Sequence, residues 1–341
     1  MDETPGLLVR CNSIWGKDTT FSGAPTCETC DDATYLPVHP SGHWGIFYQS
    51  GSIVDRSVDY IGPELGTKGQ SIADISLSPP IDCLEIENLF YGGRFNPHFG
   101  HFLIDFLPRL WPLVGLRTRD VRILCHGTED ASHWFSYPFV RETLGALGLE
   151  PSNFIVPDRP LRVKHLMVPG TSLRERAFGY SVYEDLCRCV RERLQGVGAS
   201  GRGGAVYLSK SRLPIGVGRF VNEIEIEERL SAKGVEIAYP ETMSLIEQIR
   251  LFSNHKVVFG SIGSALHVNM FAPPGGHIIA LTHSEGMSAT FSILDKLHNT
   301  TAEYWYAKGT LEKSKNSEGF LTNTLIPSAS FVADQLLAPI N

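Results

Sequence analysis

KVVFGSIGSALHVNMF, residues 256–271, is the stretch that decides the fold. An apolar, β-branched run ends in Gly260, turns through Ser261, Ile262 and Gly263, and opens a helix at Ser264. Strand, glycine turn and helix in succession form the joint from which parallel α/β sheets are built. Such a turn presents free backbone N–H groups and the positive end of a helix dipole, so Gly263, Ser264 and Ala265 are candidates to seat a diphosphate. The same turn can also serve tight strand–helix packing alone, and it is not the full G-x-G-x-x-G fingerprint.

Working outward, the alternation persists. AVYLSK (205–210) reads as a strand and VNEIEIEERLSAKG (221–234) as a helix closing on a glycine. VEIAYP (235–240) is a strand, SLIEQIRLFSNH (244–255) a helix opened by a Ser244/Glu247 capping box, and HIIALTH (277–283) a further strand. Upstream, the aromatic stretch 88–113 predicts a helix leading into the strand RILCHG (122–127). Helices over 139–149 and 180–194 alternate there with short strands at 153–157 and 164–170. QGVGASGRGGA (195–205) has the composition of a connection between packed units. The expected domains are 1–200, with 1–80 an irregular decoration, and 201–325, with a tail 326–341 that returns to the N-terminal domain.

Composition sets the outer bounds. A chain of 341 residues with 42% hydrophobic and 20% charged residues is long enough for two cores and far from the disordered class. A net charge of -7 offers no field for gathering nucleic acid. No run reaches the roughly 18 apolar residues of a membrane helix, and the opening MDETPGLLVR lacks the features of a signal peptide. The expected location is the cytoplasm, at most peripheral to the inner face of a membrane. Seven cysteines fit reduced thiols, and neither Cys27/Cys30 nor Cys187/Cys189 has a second pair at zinc-site spacing.

Two further segments carry chemistry. In YLSKSRLPIGVGRFVNEIEI (207–226), Lys210, Arg212 and Arg219 follow a strand and precede a helix. That is the side of an α/β sheet where ligands bind, and guanidinium forks suit phosphate; a solvated basic loop is the plainer alternative. Asn222 and Glu223 read either as helix cap and first-turn acid or as contacts to ribose and base. In FNPHFGHFLIDFLPRL (95–110), His101, Asp105 and Arg109 recur every four residues on one helix face, with Pro108 expected to kink it. A histidine oriented by a carboxylate can deprotonate a hydroxyl, although the pair also suits a structural role in an aromatic interface. His98, three residues before His101, shares that neighbourhood.

Taken in order, these segments resemble glycosyltransferase family 61. The resemblance is carried over about residues 88–283 by the Asn96, His101, Asp105 block, YLSKSR with RFVNEIEI, ETMSLIEQIRLF and GSIGSALHVNMFAPPG. It implies a GT-B architecture, two Rossmann-like domains facing across a cleft, with inverting, metal-independent transfer from a nucleotide sugar, often UDP-linked, to a glycan or lipid-linked acceptor. No cofactor is implied. The donor candidates are then Lys210, Arg212, Arg219, Asn222, Glu223, Gly263, Ser264 and Ala265. His101 is the expected base with Asp105 its partner, Asp105 itself being the rival base, and Asn96, His98 and Arg109 lie on the acceptor side. Relatives often carry a histidine before the loop glycine where this chain has Ile262; His267, one turn on, is the candidate substitute. A binding protein without turnover and a nicotinamide-dependent oxidoreductase are the competing classes.

Overall fold

The computed structural model describes residues 4–338 apart from 41, 65, 77–82, 85–88, 117, 119, 195–201 and 313–319, so most of the expected connection at 195–205 lies outside the described residues. The protein is α/β and divides into two compact units, Met1–Trp15 with Gln195–Asn341, and Gly16–Leu194. No helix among the described residues is long and apolar enough to cross a membrane.

The first unit is built on a six-stranded sheet in the order Leu8–Arg10, Thr301–Ala307, His277–Thr282, Val257–Ser261, Ala205–Leu208, Glu236–Ala238. All pairings are parallel except that of Leu8–Arg10. Numbered along the chain, the parallel strands run 2-1-3-4-5, which places the reversal of strand order between Ala205–Leu208 and Val257–Ser261. In doubly wound sheets ligands bind outside the carboxyl ends of the strands at that reversal. The capping box at Ser244 forms as its spacing predicts, with Ser244 Oγ accepting from the Glu247 N–H and Glu247 accepting from the Ser244 N–H. Ser264–Phe271 is a 3-10 helix rather than an α-helix.

Two expectations about the chain ends are corrected. The helix Ala329–Leu337 does not cross to the N-terminal half. Its apolar stripe of Ala329, Val332, Ala333, Leu336 and Leu337 packs into the core of the first unit with Ile226 and Leu230, and Arg229 grips Asp334 through two nitrogens at 2.8 Å. Five residues at helical spacing need a matching apolar surface, and the helix Glu223–Ser231 supplies it. Residues 1–15 likewise belong with the C-terminal unit, where Leu8–Arg10 covers the sheet edge.

The second unit holds a mixed seven-stranded sheet. Phe154–Ile155, Arg122–His126, Leu89–Arg94 and Leu161–Pro169 run parallel in the chain order 3-2-1-4, and the hairpin partners Cys27–Leu36 and Gly45–Phe47 continue the sheet antiparallel. The region 1–80 is therefore no mere decoration, because Cys27–Leu36 is a ten-residue strand whose Cys30, Ala33 and Tyr35 enter the core. Its alternation is broken at Asp32, where φ is +52° and Cys30 and Ala33 on either side are both buried, which hides it in the sequence. Cys27 is exposed and Cys30 buried on that strand, as a spacing of three dictates, so the pair cannot chelate one ion from a common face.

Candidate active site

In the second unit the reversal of strand order falls between Leu89–Arg94 and Leu161–Pro169, and the segment after the first of these carries His101 and Asp105. That segment changes type as it runs, from an α-turn at Phe99–His101 through a π-helix at Phe102–Phe106 to a 3-10 turn at Leu107–Arg109. The cause is legible in the covalent structure. A π-helix asks the Leu103 carbonyl to accept from residue 108, which is a proline without an N–H. The Tyr183 hydroxyl donates to that carbonyl instead. Phe102, Leu103 and Phe106 are buried, with Phe95 stacked on Trp134 at 4.2 Å beneath them, which leaves the polar residues facing outward.

His101 Nδ1 lies 2.8 Å from Asp105 Oδ2, with the two side chains 39% and 12% exposed. The same carboxylate accepts from Lys68 Nζ at 2.6 Å, and Lys68 also donates to Glu175 at 2.8 Å. Burial works against the Asp105 anion, but the hydrogen bond from His101 and the charge of Lys68 outweigh it and hold its pKa below the usual carboxylate range. An ionised carboxylate only accepts, so a proton sits on His101 Nδ1, and in the neutral ring the lone pair is on Nε2. Ligand atoms of His101, Asp105 and Glu175 lie within 4.8 Å of one another, a spacing that could hold a metal ion. The Lys68 ammonium, bonded to both carboxylates, already supplies a positive charge there.

The other acceptor-side candidates divide. Asn96 Oδ1 accepts from the His98 N–H at 2.9 Å, and the exposed His98 ring lies 5.1 Å from that of His101. Arg109, by contrast, leaves the helical line as the proline predicts and is buried. It donates to the carbonyls of Arg56, Val58 and Pro169, joining the chain after one strand to that after another. Gly93 makes room for it: φ there is +85°, and a Cβ would lie 2.6 Å from Arg109 Cδ.

In the first unit Lys210, Gly263 and Glu223 come together at the strand reversal. Lys210 Nζ donates to the carbonyls of Ile262 and Gly218 and lies so close to Gly263 that a Cβ there would meet it at 2.6 Å. Ser264 and Ala265 follow directly, half-buried at the start of the 3-10 helix. Glu223 is 1% exposed; Tyr207 Oη donates to one of its oxygens at 2.8 Å and the other has no partner among the described residues. Burial drives the Glu223 pKa up to about 7 against the pull of Tyr207 and Lys210, and burial drives Lys210 down to about 8 despite Glu223.

The remaining donor candidates stand apart from this cluster in their contacts. Arg212 is exposed, with its guanidinium 3.7 Å from the centre of the Tyr239 ring. Arg219 lies in the strand Gly216–Phe220 and donates to Asn323 at 2.8 Å. Asn222 neither caps its helix nor offers a free amide, since its Nδ2 donates to the Ile326 carbonyl and its Oδ1 accepts from the Ile326 N–H. His267 is buried, its ring 4.9 Å from Phe291.

Sequence reading missed Lys68, Glu175 and His283. The His283 ring packs on Gly218 and on Phe220 at 4.4 Å, and its Nδ1 lies 2.9 Å from Thr324 Oγ1. Thr324 already donates its hydroxyl proton to the Arg219 carbonyl, so Nδ1 carries the histidine proton and the unpartnered Nε2 is an acceptor. Burial, reinforced by Lys210, lowers the His283 pKa to about 3, so the ring is neutral. Its place at the end of a predicted parallel strand was the available signal; Lys68 and Glu175 had none.

The chain belongs to glycosyltransferase family 61. The family model described as Glycosyltransferase 61 matches residues 99–279, more than half of the chain. The protein is therefore a glycosyltransferase, with a sugar donor and an acceptor as its substrates. No curated protein matches the sequence.

Proposed function

We propose that the protein is an inverting, metal-independent glycosyltransferase of GT-B type that moves a sugar from a nucleotide sugar, a UDP sugar being the first to test, to a hydroxyl of a glycan or lipid-linked acceptor in the cytoplasm. In this reading the first unit binds the donor and the second the acceptor. The observation that carries it is the His101–Asp105 pair, in which a half-exposed imidazole is held through Nδ1, which leaves Nε2 to act as the base. His101 Nε2 takes the acceptor hydroxyl proton, the oxygen attacks the anomeric carbon from the face opposite the leaving group, and the bond to the diphosphate oxygen breaks with its electron pair. One displacement inverts the configuration. Asp105, held ionised by Lys68, fixes the ring and stabilises the imidazolium, which makes it the orienting group rather than the base.

Lys210 and the N–H groups of the Gly263–Ala265 turn stabilise the departing diphosphate. Lys210 is poised for this, because an arriving diphosphate favours its charged form where burial alone disfavours it. Glu223, His283 and Ser261, each with a buried polar atom that has no partner among the described residues, are available to hydrogen-bond the hydroxyl-rich part of such a donor. The test is calorimetric titration of UDP and UDP sugars in EDTA, followed by UDP release and NMR of the product anomer. Binding without metal, weakened by Lys210→Met and by Arg212→Ala, and an inverted product are expected; a strict manganese requirement or a retained anomer would overturn the reading.

A further inference from the structure

Beside the His101–Asp105 pair the second unit contains a cavity of about 120 Å³ at its strand reversal, where Asp105 and Arg109 come from the chain after Leu89–Arg94 and Gly170, Thr171 and Arg174 from the chain after Leu161–Pro169. Arg174 dominates its chemistry. The guanidinium lies between two aromatic faces, 4.9 Å from the centre of Tyr60 and 4.8 Å from that of Phe178. Its Nε is buried without a hydrogen-bond partner, and no carboxylate of the described residues comes within salt-bridge distance. A fixed guanidinium fork with free N–H groups matches a planar carboxylate.

Arg56 and Arg109 line it too, but Arg109 spends its terminal nitrogens on backbone carbonyls and Arg56 lies 3.4 Å from Glu28, while the aspartates of the lining accept hydrogen bonds. Asp55 takes the Tyr60 hydroxyl at 2.7 Å, and Asp59 and Asp105 face the same space. Burial, and the nearness of Asp105, push the Asp59 pKa up in spite of Arg109, Arg94 and Lys68. A guanidinium without a carboxylate partner among the described residues, set amid several acceptors, is complementary to a sugar that carries one carboxylate and several hydroxyls.

We propose that this cavity is the acceptor subsite and that the acceptor is a uronic acid residue, its carboxylate held by Arg174 and its hydroxyls by Asp55 and Asp59. The inference rests on the transferase reading for the word acceptor, but its test does not. A disaccharide of galacturonic acid and the matching disaccharide of galactose are titrated by calorimetry into the full chain without donor. The uronide is expected to bind, the neutral disaccharide to bind at least about tenfold more weakly, and Arg174→Ala to cost the uronide a similar factor. Arg174→Lys, which keeps the charge and loses the fork, should fall between, and thermal unfolding of both variants reports whether they fold. Equal binding of the neutral sugar, uronide binding indifferent to both Arg174 variants, equal Arg174-dependent binding of inorganic phosphate, or no uronide binding would each overturn the subsite. Turnover is read separately: UDP release onto neutral glycans alone sinks the subsite and spares the transferase, whereas uronide binding with no UDP release from any nucleotide sugar does the reverse.

Discussion

The two units carry polar clusters at the same topological place, outside the carboxyl ends of parallel strands where the strand order reverses, yet the clusters are in opposite states. In the second unit the charges close on one another, His101 on Asp105, Asp105 on Lys68 and Lys68 on Glu175. In the first unit Lys210 points into carbonyls, while Glu223 Oε2, Ser261 Oγ and His283 Nε2 are buried without partners among the described residues. A closed network fixes geometry without help, which is what a base needs before substrate arrives. An open one has desolvated its groups in advance and is relieved when a ligand supplies the missing hydrogen bonds. On the proposed reading the His101 cluster is a preset tool and the Glu223 cluster a receptor.

The largest effect expected is at the preset cluster. His101→Ala should lower transfer by about 10²–10⁴-fold with UDP affinity unchanged, and should lower the thermal midpoint only by what the one hydrogen bond to Asp105 contributes. Turnover that survives in His101→Ala and disappears in Asp105→Asn would make Asp105 the base and undo the assignment. Lys68→Met sharpens the same half. It strands two carboxylates together and should destabilise the protein by about 3 kcal/mol at neutral pH in urea titrations. Asp105 has a depressed pKa in the folded state, so its stabilising contribution is present above the unfolded value of 3.8 and is lost as pH falls through the lower folded one. The gap between wild type and Lys68→Met should therefore narrow in acid; a gap constant down to pH 2 would mean that Lys68 acts through packing.

At the open cluster the sign reverses. Glu223 has a folded pKa of about 7, above its ordinary 4.5, so the stability linked to it is fully present below 4.5 and declines as pH rises through 7. Glu223→Gln removes that decline and should stabilise the ligand-free protein at pH 8 by about 2 kcal/mol, while weakening donor binding. A destabilised Glu223→Gln at pH 8 would show that the carboxylate is already satisfied without ligand, and the contrast between the two clusters would collapse.

How much of this was legible follows from where each residue lies. The strand–turn–helix periodicity carries the α/β class, local spacing was enough for His101 with Asp105, and Lys210 and Gly263 were each legible only as residues that follow a predicted strand, all of them within residues 99–279 matched by the family. Lys68 and His283 fall outside that span. Lys68 reaches Asp105 from 37 residues away and Glu175 from 107, and no periodicity encodes a contact of that separation. The strand Cys27–Leu36 was obscured because its partner Leu161–Pro169 is distant and its alternation is interrupted at Asp32. Helix type was hidden too: Pro108 announces a break at 108, but the π-turn before it depends on Tyr183 arriving to satisfy Leu103.

Asn222 gives the smallest effect and a clean separation of roles. Sequence alone left it between helix cap and donor contact, and the structure uses both ends of its amide on the backbone of Ile326, at 2.9 and 3.1 Å. Those bonds tie the start of one helix to the end of the strand Phe320–Leu325 and keep the amide from turning toward a ligand. Asn222→Ala should therefore cost about 1 kcal/mol in urea titrations, the scale of a net intramolecular hydrogen bond, and leave UDP affinity unchanged. Asn222→Asp should behave worse, since its carboxylate keeps the bond from the Ile326 N–H but meets the Ile326 carbonyl with no donor. A tenfold loss of UDP affinity in Asn222→Ala at unaltered stability would place the side chain in the receptor cluster and show that the clamp on Ile326 opens when donor binds.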